Sequence, residues 1–404
     1  MKKELLLIEQ YFFPDGWTGA QYPINIAEKM VSERWEVKVI CGNIPYKETA
    51  LYKNDPRDKG VIIDYIKLPF IQKNALFKLI NQLYFSVNCF FKIILKHKPD
   101  LIIALTNPPP IIIVVFLVKK IKRIPYIIVA MDLYPEVLLQ NLSKRFSFII
   151  DRLLTPIFNA SYRSASKVVS LGESMSFRLR NKGIKKDKIT IIRNWGLGDF
   201  KIIRRPNKIS KDWKISSELT FIYSGNLGVA HEWETLLYAL KLSELSPDQF
   251  KILFVSSGSR VNQAKNFAQN SLPLNSVIFK PLVKSEYMPL TMGIADMAIV
   301  TLRSSYEGLV SPSKLSSYLA RGLPILFIGF DLELKKIIET NNAGVTFAPG
   351  DYESLAKYFK SIYRDKSKLI NQGKNALNYY KNNLSKENGL TRYAKLINNY
   401  ERYS

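Results

Sequence analysis

The stretch from Ser304 to Phe330 carries the residue types best suited to holding an anion. Within it, Ser311-Pro312-Ser313-Lys314 precedes a helix that the pattern predicts at Leu315–Ala320. Serine is a good N-cap and proline is favoured at the first helical position, so we expect Ser311 to cap this helix and Pro312 to lead it. The free N–H groups of the first turn, the helix dipole and the Lys314 ammonium would then meet at one point, where phosphate groups commonly bind. The simpler alternative is a capped helix with a lysine in solvent.

Two carboxylates follow another predicted strand. The pattern predicts a buried strand at Tyr126–Ala130, and Asp132 and Glu136 come soon after it. Ligands of open parallel sheets bind outside the carboxyl ends of the strands, where these side chains would lie. Asp132 is therefore a candidate site residue, although an aspartate at this place could equally well cap the following turn.

The first predicted strand, Lys2–Ile8, leads through a glycine-containing loop into a helix at Ala20–Ser32. Gly16 and Gly19 lie just before that helix, and glycines at this place allow a ligand to approach the backbone closely. The dinucleotide fingerprint G-x-G-x-x-G is absent, which argues against a dehydrogenase. Glycines that merely turn the chain are the alternative.

Composition limits the class of protein. A chain of 404 residues with 47% hydrophobic residues can bury large cores and is expected to form two domains. Two cysteines, Cys41 and Cys89, cannot form a disulfide scaffold, and two histidines exclude a His-rich metal site. We therefore expect a reducing, cytosolic setting. No signal peptide is expected, because the apolar run Leu5–Ile8 is too short and is followed by polar residues and proline. The most hydrophobic stretch, Leu101–Val118, is interrupted by Asn107 and three prolines, so no transmembrane helix is predicted.

The chain is strongly basic, with 59 Lys and Arg residues, 34 Asp and Glu residues and a formal net charge of +25. Such a charge favours an anionic partner, which could be nucleic acid, an acidic membrane surface or a phosphorylated small molecule. No zinc-finger spacing and no RNA-recognition signature is present, so nucleic acid is not the expected partner. The helix predicted at Ala75–Lys98 has apolar residues at three-to-four spacing and lysines on its other side. This pattern is typical of a helix that covers a sheet, or of one that lies on an anionic bilayer.

Strands and helices alternate along the chain in two sets. This order predicts an α/β fold of two doubly wound, Rossmann-like domains with the ligand in the cleft between them. The expected domains are residues 1–195 and 218–380, with a basic linker at 196–217 and a C-terminal helix at 381–404 that returns to the first domain. The second domain is expected to start with a strand at Leu219–Tyr223, a turn at Ser224–Gly228 and a helix at His231–Ser243.

Six motifs, in order along nearly the whole chain, resemble those of the GT-B glycosyltransferases of family 4. Within that family they are similar to bacterial enzymes that build surface polysaccharide, such as colanic-acid transferases and the N-acetylfucosaminyltransferases of O-antigen synthesis. The motifs are Gln10-Tyr11-Phe12-Phe13-Pro14 with Gly19; Asn107-Pro108-Pro109; Asp132-Leu133-Tyr134-Pro135-Glu136; Ile192-Arg193-Asn194-Trp195; Tyr223-Ser224-Gly225-Asn226-Leu227-Gly228; and Ser311-Pro312-Ser313-Lys314-Leu315 with Tyr318-Leu319-Ala320 and Gly322-Leu323-Pro324.

The resemblance implies a GT-B enzyme that transfers a sugar, with retained anomeric configuration, from a nucleoside-diphosphate sugar to a saccharide acceptor. The C-terminal domain would hold the donor, a UDP-sugar rather than a GDP-sugar. The N-terminal domain would hold a lipid-linked acceptor at the anionic inner face of the cytoplasmic membrane. Asp132, with Glu136 second, is expected near the acceptor hydroxyl as base or orienter. The residues expected around the donor and its diphosphate are Gly19, Arg193, Gly225, Asn226, His231, Glu307, Ser311, Ser313, Lys314, Leu315 and Ser317.

The chain departs from the family pattern at two places. Many members carry two glutamates eight positions apart, of which the second aligns with Ser317 and the first lies near Leu309, where Glu307 could substitute. The basic pair of many relatives is replaced by Asn226 and His231. No Asp-x-Asp pair is present, so neither a metal nor another cofactor is predicted. A nucleotide-sugar 2-epimerase of the same fold and a non-enzymatic protein that binds anionic surfaces are the alternatives.

Overall fold

The computed structural model describes residues 2–15, 18–45, 54–71, 74–198, 200–216 and 218–403. The chain forms two compact units. The first unit consists of Met1–Arg193, Gly308–Ser311 and Glu387–Ser404, and the second of Asn194–Glu307 and Pro312–Lys386. The short piece Gly308–Ser311 therefore belongs to the first unit although the chain on both sides of it belongs to the second. Gly16 of the predicted glycine loop lies outside the described residues.

Parallel strands form the sheet of the first unit. They are β1 (Glu4–Ile8), β2 (Glu36–Gly42), β3 (Ile62–Ile66), β4 (Leu101–Leu105), β5 (Tyr126–Ala130), β6 (Lys167–Ser170) and β7 (Ile189–Ile191). Across the described ranges their order is β3-β2-β1-β4-β5-β6-β7, and each neighbouring pair is parallel. Strands β4 and β5 are buried along their whole length, as parallel strands covered by helices on both faces require. The order reverses between β1 and β4, so the carboxyl ends of these strands are where a ligand of this sheet would bind.

Helices connect these strands. They are α1 (Thr18–Ser32), α2 (Ala75–Lys96), α3 (Ile111–Lys122), α4 (Glu136–Leu139), α5 (Lys144–Ser164) and α6 (Glu173–Asn181). Helix α2 begins where it does because the side-chain oxygen of Asn74 accepts a hydrogen bond from the Phe77 N–H at 2.9 Å. Its buried side, which includes Phe85, Cys89 and Ile93, joins the apolar core of the unit.

The second unit has its own parallel sheet. Its strands are β8 (Leu219–Asn226), β9 (Phe250–Ser257), β10 (Val277–Lys280), β11 (Met297–Thr301), β12 (Ile325–Ile328) and β13 (Gly344–Phe347). In the part of the chain that the structure describes, their order is β10-β9-β8-β11-β12-β13. This order reverses between β8 and β11. The ends of those two strands, at Asn226 and Thr301, therefore mark the expected ligand position.

The helices of the second unit cover this sheet. They are α7 (Lys208–Asp212), α8 (Glu234–Ser243), α9 (Val261–Ser271), α10 (Met288–Met292), α11 (Lys314–Leu319), α12 (Leu332–Thr340), α13 (Tyr352–Arg364) and α14 (Ser367–Tyr379). After a π-helical stretch at Tyr380–Leu384 comes α15 (Lys386–Asn398), most of which is grouped with the first unit. There the indole N–H of Trp35 donates to the side-chain oxygen of Asn398 at 2.8 Å.

The predicted fold class, α/β with two Rossmann-like sheets, is confirmed. Two local expectations were wrong. The stretch 196–217 is not a linker, because it contains α7 and is bonded to the second unit: the N–H of Ile203 donates to the carbonyl of Pro289 at 3.0 Å. The turn expected from Ser224 starts later, because β8 continues to Asn226.

Candidate functional site

Lys314 turns its side chain back onto the end of β8. Its Nζ lies 3.2 Å from the carbonyl oxygen of Asn226 and 3.2 Å from Nε2 of His231. His231 in turn contacts Thr301, the last residue of β11. The Lys314 ammonium therefore lies at the ends of the two strands between which the sheet order reverses, which is the ligand position of a doubly wound sheet.

The start of α11 differs from the prediction. The helix begins at Lys314 rather than at Pro312 and has six residues. Ser313, and not Ser311, occupies the N-cap position, and its side chain makes no capping hydrogen bond. Because a helix dipole is a sum over aligned peptide units, so short a helix contributes little. The positive charge at this point comes from the lysine side chain.

Glycine at position 225 makes room for Lys314. A Cβ added there would come within 2.6 Å of Lys314 Cε, and the φ angle of Gly225 is +126°, which residues with side chains rarely adopt. Nζ of the lysine lies 4.8 Å from the centroid of the Tyr223 ring, in a cation–π geometry. The Tyr223 hydroxyl donates to the Asn226 carbonyl at 2.8 Å, so tyrosine and lysine share one acceptor.

Burial changes the protonation of the two basic groups. It lowers the pKa of Lys314 to about 7. Burial, together with the charge of Lys314, lowers the pKa of His231 to about 3. Among the described residues Lys314 has no carboxylate partner, so its charge is not balanced within the second unit. An unbalanced, partly desolvated cation at a ligand position favours an anionic ligand.

An ion-pair network that the sequence analysis missed supports His231. The guanidinium of Arg260 donates to the carbonyl of His231 at 2.8 Å and also pairs with Glu234. Glu234 pairs in addition with Arg303 at 2.9 Å. The residues are 26 and 69 positions apart along the chain, and no sequence spacing indicates that they meet.

The other predicted donor residues of the second unit contribute less directly. The side chain of Asn226 lies beside Gly228 and Gly258, so this residue meets Lys314 through its backbone carbonyl and not through its amide. Leu315 is buried, while Ser313 and Ser317 are partly exposed. Two missed residues fix α11. The hydroxyl of Ser316 donates to the Asn194 carbonyl at 2.7 Å, and the Tyr318 hydroxyl accepts from the Ser224 N–H at 2.8 Å.

The loop between Glu307 and Ser311 enters the first unit. The N–H of Leu133 donates to the carbonyl of Leu309 at 2.8 Å, and Val310 forms an antiparallel bridge with Asp132. Gly308 has a φ angle of +69° and approaches Ser174 so closely that a Cβ would lie 2.7 Å from its carbonyl oxygen. Ser311, expected at the donor, follows this bridge and is grouped with the first unit.

Asp132 lies just beyond the end of β5. Its backbone N–H donates to the hydroxyl of Thr106 at 3.2 Å, and Thr106 also accepts from the Met131 N–H at 3.1 Å. Burial raises the pKa of the Asp132 carboxyl to about 6, against the opposite effect of the nearby Lys78 charge. A carboxyl with a pKa near neutrality can accept a proton from a hydroxyl and release it again. Lys78 of α2 is thus near enough for its charge to act on this carboxyl, although the sequence pattern assigned the lysines of this helix to its polar side.

Glu136 is held in an ion pair. One of its carboxylate oxygens lies 2.5 Å from Nζ of Lys182, whose side chain is only 5% exposed. A second carboxyl that the sequence analysis missed is Glu9, which follows β1. It accepts from the Asn107 amide at 3.1 Å, and burial raises its pKa well above the usual value.

The last two predicted donor residues also lie in the first unit. Gly19 is in the first turn of α1, and Arg193 follows β7.

Comparison with known proteins decides the class. Residues 19–195 match the family Glycosyltransferase Family 4, and residues 205–379 match the family Glycosyl transferases group 1. This chain is a glycosyltransferase of GT-B type. A probable glycosyltransferase of Pseudomonas aeruginosa, WbjE, is 25% identical over 306 residues, which is 73% of this chain and 74% of that protein.

Solved structures share the fold of this glycosyltransferase. Sucrose-phosphate synthase from Thermosynechococcus elongatus superposes with a TM-score of 0.76 at 15% identity, over 100% of both chains. HepE of Anabaena, solved in complex with UDP-glucose, gives 0.69 at 16% identity, over 98% of this chain and 99% of HepE. WaaG, a glycosyltransferase of lipopolysaccharide biosynthesis, gives 0.70 at 14% identity, over 97% and 99%. These likenesses confirm the predicted GT-B fold.

The first unit of the glycosyltransferase exposes an apolar, basic surface on three helices. Helix α3 packs against both α2 and α5. Large apolar side chains are exposed on all three: Leu76, Leu79, Leu83, Val87, Phe91 and Leu95 on α2, Leu117 and Ile121 on α3, and Phe146, Phe148, Ile149 and Leu153 on α5. The same helices carry ten basic residues and, as their one acidic residue, Asp151. We call this the three-helix face.

Two features are absent from the residues that the structure describes. Within those ranges, no helix is both long and apolar enough to span a membrane. In the same ranges, no group of three or more His, Cys, Asp or Glu side chains is arranged to hold a metal ion.

Proposed function

We propose that this protein is a retaining glycosyltransferase that moves a hexosyl or N-acetylhexosaminyl group from a nucleoside-diphosphate sugar to a saccharide acceptor in bacterial surface-polysaccharide synthesis. The observation that carries the proposal is the Lys314 ammonium at the switch point of the second sheet, without a carboxylate partner among the described residues. A nucleoside diphosphate supplies the missing negative charge.

The chemistry follows from the leaving group. When the bond between the sugar and the diphosphate breaks, negative charge develops on phosphate oxygens, and a fixed cation beside them lowers the barrier. Lys314 is that cation in our proposal. We therefore expect transfer to need no metal or other cofactor and to continue in the presence of EDTA.

A UDP-sugar is the donor that we favour. HepE, which shares the fold, was solved with UDP, with UDP and glucose, and with UDP-glucose. The strand ends that hold Lys314 and His231 here are those at which doubly wound sheets bind nucleotides. A GDP-sugar is the competing donor, and the binding screen described below separates the two.

The acceptor belongs to the first unit in this proposal. We expect Asp132 to take the proton of the acceptor hydroxyl or to orient that hydroxyl, because a pKa of about 6 lets it be ionised at neutral pH and still accept a proton. Glu136 has the lesser role, since it is already paired with Lys182.

We further propose that the acceptor is lipid-linked and that the three-helix face rests on the anionic inner face of the cytoplasmic membrane. Exposed apolar side chains can enter the interfacial region while lysines and arginines bind lipid headgroups. Co-sedimentation with vesicles of phosphatidylcholine and phosphatidylglycerol tests this. Phe91→Glu combined with Leu153→Glu should reduce the bound fraction at least about tenfold, since two large apolar contacts are lost.

A matched control is available in the second unit, where Leu274 is 86% exposed. Leu274→Glu combined with Leu332→Glu, the latter at a leucine of the second unit that is 75% exposed, adds the same two negative charges outside the three-helix face and should leave vesicle binding unchanged. Equal binding of wild type to vesicles of pure phosphatidylcholine, or no binding to either composition, would contradict the membrane proposal. Binding to RNA that displaces UDP-glucose would contradict the exclusion of nucleic acid.

The experiment that tests the function is a thermal-shift screen with UDP-glucose, UDP-N-acetylglucosamine, UDP-galactose and GDP-mannose. A ligand that binds only the folded protein raises the melting temperature by mass action. We expect a rise with at least one UDP-sugar and none with Lys314→Met. The bound donor is then incubated with saccharide acceptors, and the anomeric configuration of the product is read by proton NMR. No shift with any sugar nucleotide, or an inverted product, would overturn the assignment.

A further inference from the structure

We propose that His231 is a positioning residue for Lys314: a neutral imidazole, protonated on Nδ1, accepts a hydrogen bond from the ammonium and leaves its positive charge available to the donor diphosphate. The identity of the anion rests on the proposed function. The state of the histidine does not, because it follows from contacts within the second unit.

The tautomer is fixed by a carbonyl group. Nδ1 of His231 lies 2.9 Å from the carbonyl oxygen of Thr301, and such an oxygen can only accept a hydrogen bond. Nδ1 must therefore carry a proton. Nε2, at 3.2 Å from the Lys314 ammonium, faces a group that can only donate, so Nε2 must present its lone pair. One neutral tautomer satisfies both neighbours, whereas the imidazolium would place two donors face to face.

The backbone around His231 is held on several sides. Its N–H donates to the carbonyl of Gly228 at 3.0 Å, and its carbonyl accepts from Arg260 at 2.8 Å. The next N–H, of Glu232, donates to the hydroxyl of Thr301 at 3.2 Å. A ring fixed in this way gives the long, flexible lysine side chain a defined end point, which lowers the entropy that a ligand must remove on binding.

The proton count of Lys314 leaves a donor for the ligand. An ammonium has three N–H groups. The Asn226 carbonyl accepts one and Nε2 of His231 accepts a second, while the Tyr223 ring lies against the cation at 4.8 Å. The third N–H is available for a phosphate oxygen. The other two hydrogen bonds set the direction of this third N–H. His231 therefore acts on the ligand indirectly, by orienting the Lys314 ammonium.

Only a neutral hydrogen-bond acceptor at position 231 can orient the Lys314 ammonium and leave its positive charge for the ligand. A carboxylate at position 231 would also orient the ammonium, but it would neutralise the charge and repel the diphosphate. An ammonium or guanidinium at this place would repel Lys314. A neutral histidine orients the Lys314 ammonium without neutralising its charge. Burial, together with the adjacent lysine charge, keeps the pKa of His231 low, at about 3.

Among the described residues, three groups face the Lys314 ammonium, so the pH dependence can be assigned. From β8 they are the Tyr223 ring and the Asn226 carbonyl, and from the segment before α8 the imidazole of His231. Of these, burial raises the pKa of Tyr223 well above its usual value and lowers that of His231. Lys314 is therefore the group that titrates near neutrality.

The histidine state can be measured without any ligand. The chain has only two histidines, His97 and His231, so the nitrogen spectrum of protein labelled with ¹⁵N-histidine contains two rings, and His97→Gln assigns them. We expect the Nδ1–H neutral tautomer for His231 from pH 5 to pH 8, and Lys314→Met should shift its Nε2 resonance but not that of His97. An imidazolium, an Nε2–H tautomer or an unmoved Nε2 resonance would overturn the proposal.

Measurements of donor affinity test whether the hydrogen bond from Lys314 to His231 helps to bind the diphosphate. The probe is UDP-glucose, because its diphosphate has no terminal phosphate that titrates near pH 6, as that of UDP does. His231→Leu removes the acceptor and should weaken binding about tenfold, the usual size for a hydrogen bond to a charged group. His231→Gln places an amide oxygen near the position of Nε2 and should restore affinity to within about threefold. His231→Glu should bind more weakly than His231→Leu.

These outcomes separate the two proposals. Equal weakening by His231→Gln and His231→Leu, or tighter binding by His231→Glu, would reduce His231 to a packing residue while the glycosyltransferase function stands. If wild type binds none of the sugar nucleotides, the proposed function fails, and the nitrogen spectrum still decides whether His231 positions Lys314. His97→Gln serves as the matched control for binding and should retain wild-type affinity.

Discussion

Lys314 and Asp132 carry opposite charges in different units, yet burial changes their protonation in the same direction, towards neutrality. It lowers the pKa of Lys314 to about 7 and raises that of Asp132 to about 6. Both residues lie beyond strand ends, Lys314 beside Asn226 of β8 and Asp132 after β5. Their surroundings differ. Lys314 is held by neutral acceptors, whereas Asp132 has the charge of Lys78 nearby.

The difference indicates different chemical roles. A cation without a carboxylate partner among the described residues keeps its charge for a ligand and is suited to bind a diphosphate. A carboxyl that is stabilised in part by a lysine charge, and still titrates near pH 6, is suited to exchange a proton. In our proposal, the same physical effect, the loss of water around a charge, therefore suits Lys314 of one unit to binding and Asp132 of the other to proton transfer.

Of the variants considered, Lys314→Met should cause the largest loss of transfer activity. Loss of the cation beside the leaving group should reduce transfer by roughly 10²–10³-fold, as for other fixed electrostatic groups. The ligand-free protein should not be destabilised, because the variant removes a partly desolvated charge that has no carboxylate partner among the described residues. Transfer rate and melting temperature are the measurements. Lys336→Met, at an exposed lysine of α12, is the control and should change neither.

The stability effect of Lys314→Met has a definite sign with pH. The pKa of Lys314 is about 7 in the folded protein and near 10.5 when unperturbed. Between these values the unfolded chain binds more protons, so the stability due to this group rises with pH across the window. The gain in melting temperature from Lys314→Met should therefore be greater at pH 6 than at pH 9. A lower melting temperature of Lys314→Met than of wild type at both pH 6 and pH 9 would show that the lysine side chain stabilises the protein by packing.

Asp132→Asn should cause the second largest loss of transfer activity. If Asp132 is the base that we propose, its loss should lower transfer by roughly 10²-fold or more, while the affinity for UDP-glucose should stay within about twofold because our proposal places the donor on the other unit. Steady-state rates and calorimetric titration measure the two quantities. Equal loss of donor affinity in Asp132→Asn and Lys314→Met would remove the distinction between a binding group and a proton-transfer group.

The pH profile tests both groups in one experiment. In our proposal transfer needs Asp132 ionised, so kcat/KM should rise with pH through about 6. It also needs Lys314 charged, so kcat/KM should fall as pH rises through about 7. A narrow bell results. Lys314→Arg should extend the alkaline limb, because a guanidinium stays charged. A profile that is flat from pH 5 to pH 9 would contradict both assignments.

Much of the fold could be predicted from the sequence because long apolar runs determine it. The predicted strand Tyr126–Ala130 agrees with β5 to the residue. Strand β13 was missed, since Gly344–Phe347 is a half-exposed edge strand that begins with glycine. The cap at Ser311 was wrong because the chain there first pairs with the first unit through Val310, so α11 starts only at Lys314.

The site could be predicted only in part. The family resemblance placed Lys314, His231, Asn226 and Gly225 among the expected donor residues, and these four residues lie together in the second unit. The contact of the Tyr223 ring with Lys314 was missed, as was the ion-pair network of Arg260 and Arg303 near His231. These contacts join residues that are far apart along the chain, so no local spacing indicates them. The apolar side of α2 was noticed, but only the fold shows that α3 and α5 extend it.

Gly225→Ala should give the smallest of these effects and tests how tightly the lysine site is built. The added Cβ meets Lys314 Cε, and φ is unfavourable, so we expect a loss of about 1–3 kcal/mol in the free energy of unfolding. Gly350→Ala is the control. Gly350 also has a positive φ, of +90°, but a Cβ there meets nothing within 4 Å. In the Lys314→Ala background the cost of Gly225→Ala should fall towards that of Gly350→Ala, while the latter stays unchanged. Chemical denaturation of the four-member cycle measures this coupling. A coupling of zero would mean that residue 225 is glycine for its backbone conformation alone, and that Lys314 has room to settle elsewhere.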